Sequence, residues 1–443
     1  MTDSAQPSSA PPWFSLEGAL PMASSQSKTA VVVGGGLAGA TAAYRLAQLG
    51  FKVTLLEAED EVSQQASGNL AGAIHPLVTA DWNLRSQFYL EGLQATLRWL
   101  KPWWHAGLIK GEHNGLMQLA MSPSMEKRLQ SSLRVMPENF AIWQTPKQAS
   151  ERIGVQTDYG GLFFPQGGWV QPKSVVETCI SHDNIEVMRQ QKVEDIAAFQ
   201  VNSSKKNDQA WRVSTANHHY DASVVVVATG ALDEPFNSQL QLPIRPVKGQ
   251  VTHLAKDKVK TPLKTTVTHE GYSVSGDFGL GDEVVAISGA TFEAPDMTAS
   301  LSLASQHHNE ALAAKAMPNW LTDFDSTEIL LGKVGFRPTT PDHLPIFGAV
   351  PDWSWVTEAY LQRKHTHAVR FYPNQRYQAG LYVSNGHGAR GLMSAFLAAD
   401  TIANSVAGAP PILSAKLRHA VHPARFLIRQ WRKGESVENL ENR

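Results

Sequence analysis

Thr29-Ala30-Val31-Val32-Val33-Gly34-Gly35-Gly36-Leu37-Ala38-Gly39 is the stretch that decides the fold. Thr29–Val33 is a short, almost wholly apolar and β-branched run, the pattern of a strand buried in a parallel sheet. It breaks at Gly34-x-Gly36-x-x-Gly39, and a helical pattern follows from Ala40 to Leu49, closed by Gly50. A second strand, Lys52–Leu56, ends in Glu57, which completes a βαβ unit of about 30 residues. The first glycine permits the tight turn, the second lets backbone N–H groups approach a pyrophosphate at the helix N-terminus, and the third lets helix pack on strand. Glu57 can accept hydrogen bonds from both ribose hydroxyls of an adenosine and disfavours a 2′-phosphate, so NAD and FAD remain and NADP does not.

The rest of the composition narrows the setting. The chain has 443 residues, with 42% hydrophobic and 18% charged residues, a globular rather than a disordered balance. The length suits roughly three domains or one large two-lobed enzyme. One cysteine, Cys179, excludes an internal disulfide framework and any multi-cysteine metal site. A net charge of −1 gives no global attraction to nucleic acid, though it does not exclude a local basic patch. No apolar run approaches the ~18–20 residues that span a bilayer. The Ser-, Pro- and Ala-rich residues 1–28 lack the basic start and apolar core of a secretory signal and read as a flexible leader. The expectation is a cytoplasmic protein without membrane segments.

Further along, Leu84–Trp104 and Pro172–Ile180 read as helices. Ile185–Met188, Val193–Phe199, Trp211–Thr215 and Ala222–Val227 read as strands. Residues 244–335 alternate apolar and polar positions with Gly and Asp breaks, the pattern of an antiparallel sheet. Leu381–Ser384 reads as a strand, 385–391 as a glycine loop and Leu392–Val406 as a helix. The dinucleotide fold is therefore expected to be discontinuous: 29–80, 171–243 and 336–432, with a substrate lobe from 81–170 and 244–335 and a tail at 433–443.

Four more motifs carry chemistry. Val224–Val227 ends in Ala228-Thr229-Gly230, small residues that give clearance beneath a cofactor and favour FAD over NAD. In Ala66-Ser67-Gly68-Asn69-Leu70-Ala71-Gly72-Ala73-Ile74-His75-Pro76, small residues let a loop lie flat on a planar ring; a flexible loop is the alternative, and His75 alone reads as a structural histidine as readily as a base. In Gly335-Phe336-Arg337-Pro338, an arginine fixed between strand and proline is a bidentate clamp for a carboxylate, or else caps a turn. Asn385-Gly386-His387-Gly388-Ala389-Arg390-Gly391 opens a helix and offers amides to an anion or a flavin carbonyl. Arg390 there is a second carboxylate candidate or a structural ion pair.

These motifs, in this order, resemble the D-amino-acid-oxidase-like superfamily of FAD oxidoreductases from about Thr29 to the C-terminus. The implied fold is α/β, α+β overall: a discontinuous Rossmann-like FAD-binding domain interrupted by an antiparallel substrate domain. ASGNLAGAIHPL, PQGGWVQP, PIRPVKGQV, GFRPTTPDHLPIFG, SNGHGARGL and HPARFLIR are similar to the C-terminal half of the MnmC family, bacterial enzymes that modify the tRNA wobble uridine. That half removes the carboxymethyl group of 5-carboxymethylaminomethyl(-2-thio)uridine. The family's methyltransferase half does not fit into the residues ahead of Thr29, so the expectation is a stand-alone oxidoreductase. The Pro12-Trp13-Phe14 leader reads as a remnant of an interdomain linker.

The resemblance implies FAD as cofactor, with contacts at Gly34, Gly36, Leu37, Ala38, Gly39, Glu57, Ser67, Gly68, Asn69, Ala71, Gly72, Ala73, His75, Val193, Ala228, Thr229, Gly230, Gly386, His387, Gly388, Ala389, Arg390, Gly391 and Leu392. It implies that Arg337 grips a substrate carboxylate, that Tyr272 closes over it unless it is simply a core tyrosine, and that Arg390 assists. Lys248 either promotes oxygen attack on reduced flavin or is a solvated lysine, the second being favoured. No metal is implied. For tRNA, the basic feature is Lys416, Arg418, His419, Arg425, Arg429, Arg432 and Lys433, with Trp431 to stack on a base; a solvated basic helix is the alternative. The competing function is an oxidase or dehydrogenase of glycine, sarcosine or D-amino acids, and a flavoprotein without turnover is the third.

Overall fold

The structure is a computed structural model that describes residues 28–200, 209–232, 234–294, 298–322, 331–361 and 375–433. The leader other than Lys28, the tail beyond Lys433 and the side chains of Arg432 and Lys433 lie outside that description.

Thr29–Val33 and Lys52–Leu56 form strands with the expected limits. They lie inside a six-stranded sheet in the order Ile346–Pro351, Tyr377–Asn385, Val224–Val227, Thr29–Val33, Lys52–Leu56, Ile185–Met188. Every neighbour pair is parallel except the edge pair Ile346–Pro351 with Tyr377–Asn385. The near-continuous apolar character of Thr29–Val33 follows from burial on both faces. Ala30 and Val32 pack with Ala42, Ala43, Leu46 and Ile402 of the helices on one face. Val31 and Val33 pack with Trp211 and Val213 on the other. The latter belong to a three-stranded antiparallel sheet, Val193–Gln200, Gln209–Thr215 and His219–Ala222, that roofs the second face. Ala222 therefore ends a strand of this small sheet, and the central strand begins only at Val224.

The fingerprint helix runs Leu37–Gln48, three residues earlier than its apolar pattern suggests. Extended Gly36 (φ −82°, ψ −175°) is its N-cap and brings Leu37, Ala38 and Gly39 into the first turn. The expected Leu392–Val406 helix divides into a 3₁₀ segment, Gly388–Met393, and an α-helix, Ala395–Val406, because the backbone turns out of helical geometry at Ser394 (φ −140°, ψ −27°) between them.

A second, eight-stranded sheet builds the other lobe, in the order Gly332–Thr339, Arg245–Leu254, Ala286–Gly289, Tyr272–Ser275, Thr266–Thr268, Leu116–Leu119, Gly161–Phe164, Ile142–Gln144. It is antiparallel apart from the parallel pair Thr266–Thr268 with Leu116–Leu119. Two expected lobe assignments change. Strand Gly332–Thr339 crosses the expected boundary at 335/336 and pairs with Arg245–Leu254 through Thr339, so Arg337 is carried by the second sheet. Helix Leu84–His105 lies within the expected substrate lobe but packs on the cofactor lobe. The Thr96 hydroxyl donates to the Leu392 carbonyl (2.6 Å), and a Cβ at Gly92 would stand 1.8 Å from the Met393 carbonyl. Among the described residues no helix is long and apolar enough to cross a membrane.

Part of the C-terminal basic segment is structural. Arg425 is fully buried and donates to both oxygens of Asp342, through Nε (3.0 Å) and Nη2 (2.9 Å), and to the Leu344 carbonyl. Arg429 pairs with the same carboxylate. Trp431 packs in a cluster with Val356, Ala424, Leu427 and Ile428. Arg425 and Trp431 are thus corrected from RNA-contacting candidates to core residues. HPARFLIR and TPDHLP carry the two ends of one ion cluster.

Candidate active site

One cavity of about 790 Å³ opens between the two lobes. It is lined by every cofactor-contact and catalytic candidate named above except Gly39, Gly68, Ala71 and Gly386. Those four act behind the wall. A Cβ at Gly39 would lie 1.9 Å from the Gly34 carbonyl, and one at Gly68 would lie 2.5 Å from the Ser63 carbonyl. Gly386 turns at φ +70° against Thr340, and fully buried Ala71 accepts a hydrogen bond from the Tyr272 hydroxyl (3.0 Å). Replacing Gly39 by alanine should push the helix off the strand at a cost of ~1–3 kcal/mol. The expected outcome is purified protein with a lowered ratio of flavin to protein absorbance.

At the fingerprint end, Gly34 has φ +106°, and a Cβ there would meet the Ala228 carbonyl at 2.5 Å. The two strand ends therefore touch, which explains small residues in both motifs. The Leu37 N–H donates to Ser67 Oγ (2.9 Å), tying the 66–76 loop to the helix N-terminus. Glu57 accepts from the Gly35 N–H through Oε2 (2.8 Å) and from the Glu59 N–H through Oε1 (2.9 Å). Each oxygen keeps a second lone pair for a ribose hydroxyl. The fingerprint pattern leaves Gly35 unspecified, yet a Cβ there would stand 2.6 Å from Glu57 Oε2.

The other end holds the titratable groups. Arg337 donates from Nη1 to the Thr291 carbonyl (2.9 Å), and its guanidinium lies 4.4 Å from the Phe292 ring centroid. Burial lowers its pKa, while Tyr272 and Glu293 oppose the shift. Burial raises the Tyr272 phenol to about 12, with Arg337 opposing. Sequence reading missed Gly249: a Cβ there would stand 2.3 Å from Arg337 Nη1. Strand register, which puts Val247 opposite Arg337 and Gly249 opposite Gly335, was the missing signal. Arg390 lies over Tyr89 (5.7 Å), its pKa lowered first by burial, and its Nε has no hydrogen-bond partner. His75 Nε2 meets Gln118 Oε1 at 3.3 Å, and burial followed by the charge of Arg390 lowers its pKa to about 3. Lys248 is not solvated: it is buried and donates to Thr298 Oγ1 (3.2 Å), and it does not line the cavity.

These residues fit FAD. Beyond the Leu37 amide, which Ser67 takes, a side-chain-free N-cap leaves the helix amides open to a pyrophosphate, a fixed carboxylate stands at the second strand end, and Thr229 Oγ1 and Arg390 Nε are buried beside the cavity without partners among the described residues. Among the described residues no cluster of His, Cys, Asp or Glu could hold a metal ion.

A two-lobed fold with a dinucleotide fingerprint and a buried arginine on one cavity defines a flavoprotein oxidoreductase. The family model described as FAD dependent oxidoreductase matches residues 29–405, and the chain belongs to that family. FAD is its cofactor. It is 57% identical over 431 residues to the tRNA 5-methylaminomethyl-2-thiouridine biosynthesis bifunctional protein MnmC of Hydrogenovibrio crunogenus, covering 97% of this chain and 62% of that protein. The protein of the same name from Pseudomonas savastanoi is 31% identical over 439 residues, covering 98% and 63%. The chain thus spans less than two thirds of these relatives. Glycine oxidase from Geobacillus kaustophilus superposes with a TM-score of 0.66 at 21% identity, over 87% of this chain and 96% of that one. Iminodiacetate oxidase from Chelativorans gives 0.63 at 20%, over 89% and 98%. These two likenesses are of fold.

Proposed function

We propose that this chain removes the carboxymethyl group of 5-carboxymethylaminomethyl(-2-thio)uridine at the tRNA wobble position, as a cytoplasmic enzyme, yielding the aminomethyl form and glyoxylate. The observation that carries the reading is the guanidinium of Arg337, seated by Gly249 and Thr291 and beside Tyr272, on the same cavity as the dinucleotide fingerprint. The 57% identity to a tRNA-modifying relative supports the substrate class over a free amine.

Gly34, Gly36–Ala38, Glu57, the 66–76 loop, Val193, Ala228–Gly230 and 387–392 would hold FAD, which would supply a two-electron acceptor. Arg337 takes the substrate carboxylate in a fork of two N–H groups, and Tyr272 stands beside it. With the carboxylate fixed, the α-CH₂ of the neutral secondary amine is aligned to lose a hydride, which turns its C–N bond into an imine. Water adds to the imine carbon, and the C–N bond breaks to give the primary amine and glyoxylate. His75 stays neutral over the working range and takes no proton. Positioning is the protein's main contribution. The test is nucleoside mass analysis of hypomodified tRNA incubated with FAD-loaded protein, with glyoxylate measured in parallel. Persistence of the carboxymethylaminomethyl nucleoside overturns the reading, and flavin bleaching by sarcosine or glycine alone supports the small-amine alternative.

A basic cleft supports the RNA partner. Asn83, Leu84 and Arg85 face Pro341–Leu344 and Arg429 across an open space of about 350 Å³. Arg425 and Arg429 share the single carboxylate of Asp342, and Arg85 has no ion-pair partner among the described residues, so positive charge is in excess there. Arg85→Ala should weaken tRNA binding and flatten the slope of log K against log salt concentration by about 1, as read by fluorescence anisotropy.

A further inference from the structure

The substrate end of the cavity carries more polar groups than binding a carboxylate requires. Strand register sets Thr268 opposite Tyr272 on one side and opposite Gln118 on the other. All three line the cavity. They form a row across three neighbouring strands, and at ~4.8 Å per strand the row spans about 10 Å from Tyr272 to Gln118. Glycine or sarcosine held at Arg337 and Tyr272 has nothing to place at the Gln118 end.

The groups at that end are left wanting a ligand. Thr268 is buried, and its hydroxyl has no hydrogen-bond partner among the described residues. An unpaired buried hydroxyl is costly, and such groups are normally satisfied. Gln118 uses Oε1 toward His75 Nε2, and its amide nitrogen donates to no described residue. His75 is neutral, so its one ring proton can sit on Nε2 and point at Gln118. With the proton there, the amide oxygen faces His75 and the N–H₂ donor faces the cavity. Gln118 and Thr268 therefore present two adjacent donors, a pair complementary to a carbonyl oxygen.

In a 5-substituted uridine the ring carbon bearing the aminomethyl arm is bonded to C4, so the C4 carbonyl is the first acceptor met beyond the amine. We infer that Gln118 and Thr268 are specificity-determining residues that bind the C4 carbonyl of the substrate pyrimidine while Arg337 holds the carboxylate. The inference rests on the tRNA reading above. It adds that the enzyme reads the base itself, not only the N-carboxymethyl arm. A site built to hydrogen-bond one group rejects analogues that lack it more strongly than an apolar pocket does.

The experiment uses FAD-loaded protein and two anticodon stem-loops, with 5-carboxymethylaminomethyl-uridine or the corresponding cytidine at the wobble position. Glyoxylate release gives kcat/KM for each. The cytidine presents an amino group where the carbonyl stands, donor against donor, so wild type should strongly prefer uridine. Gln118→Leu and Thr268→Val should each lower kcat/KM on the uridine stem-loop roughly 5- to 100-fold and collapse the uridine-to-cytidine ratio, with FAD content unchanged. Gln118→Glu keeps the shape but replaces the donor by an acceptor, so it should lower turnover of the uridine stem-loop as Gln118→Leu does and shift the ratio further toward cytidine, whose amino group it can accept from. Retained discrimination in both Gln118→Leu and Thr268→Val overturns the inference and leaves the proposed function standing. Equal loss on both stem-loops, with loss of FAD, assigns the residues a structural role and also overturns it. Absence of glyoxylate from wild type on the uridine stem-loop overturns the tRNA reading and this inference with it.

Discussion

Arg337→Ala is expected to retain FAD and to lose turnover by roughly 30- to 1000-fold in kcat/KM, corresponding to ~2–4 kcal/mol of transition-state binding. The residue is set for one task. One guanidinium nitrogen is spent on the Thr291 carbonyl and one face on Phe292, so the rest of the fork is held still beside Tyr272. Burial works against its charge, and Tyr272 and Glu293 work for it. Arg337→Lys keeps the charge but loses the planar pair of donors and should fall between wild type and alanine. The measurements are flavin absorbance of the purified variants and glyoxylate release from hypomodified tRNA. Full activity in Arg337→Ala removes its role as carboxylate anchor.

The second large effect concerns stability. Asp342→Ala is expected to cost ~3–5 kcal/mol, because it strands the fully buried guanidinium of Arg425 without its carboxylate. The half-exposed Arg429 adds little to that figure. Burial alone would raise the Asp342 pKa, but hydrogen bonds and charge from Arg425, then from Arg429, outweigh it and hold the pKa down to about 2. A carboxyl whose pKa is lower in the folded state stabilises the fold above its ordinary value of about 4. That contribution disappears as pH falls from about 4 toward 2. Denaturant unfolding at neutral pH and at stepped acid pH should show both the loss in Asp342→Ala and the disappearance of this acid dependence in Asp342→Asn. An unchanged midpoint in Asp342→Ala at neutral pH would contradict the ion cluster's role.

Where local pattern and burial agree, the sequence is a faithful guide. Thr29–Val33, Lys52–Leu56, Pro172–Ile180 and Ile185–Met188 have the limits their apolar runs and flanking breaks suggest. The fingerprint was readable because its chemistry is local: turn, helix N-terminus and acidic strand end lie within one βαβ unit. What could not be read depends on partners far along the chain. Arg425 looks like a surface cation until Asp342 is placed beside it. Trp431 looks like a stacking platform until its hydrophobic neighbours close around it. Gly249 has no turn to explain it, and its reason is an arginine on the adjacent strand. Gln118 lies in an ordinary alternating strand, and only strand register sets it in a row with Tyr272.

Strand Gly332–Thr339 bears on how a large substrate gains access. It is hydrogen-bonded along its whole length to Arg245–Leu254, and after a short turn at Pro341–Leu344 the chain enters edge strand Ile346–Pro351 of the other sheet. Asp342, within that turn, is pinned by Arg425 and Arg429. The connection is a braced strut rather than a hinge, which opposes a clamshell motion of the lobes around the flavin. If the proposed function holds, a nucleotide is swung out of its stack and fed into a pocket already shaped. On the proposed function, the work of deformation then falls on the anticodon loop, and loop suppleness rather than enzyme closure sets how fast a tRNA is accepted.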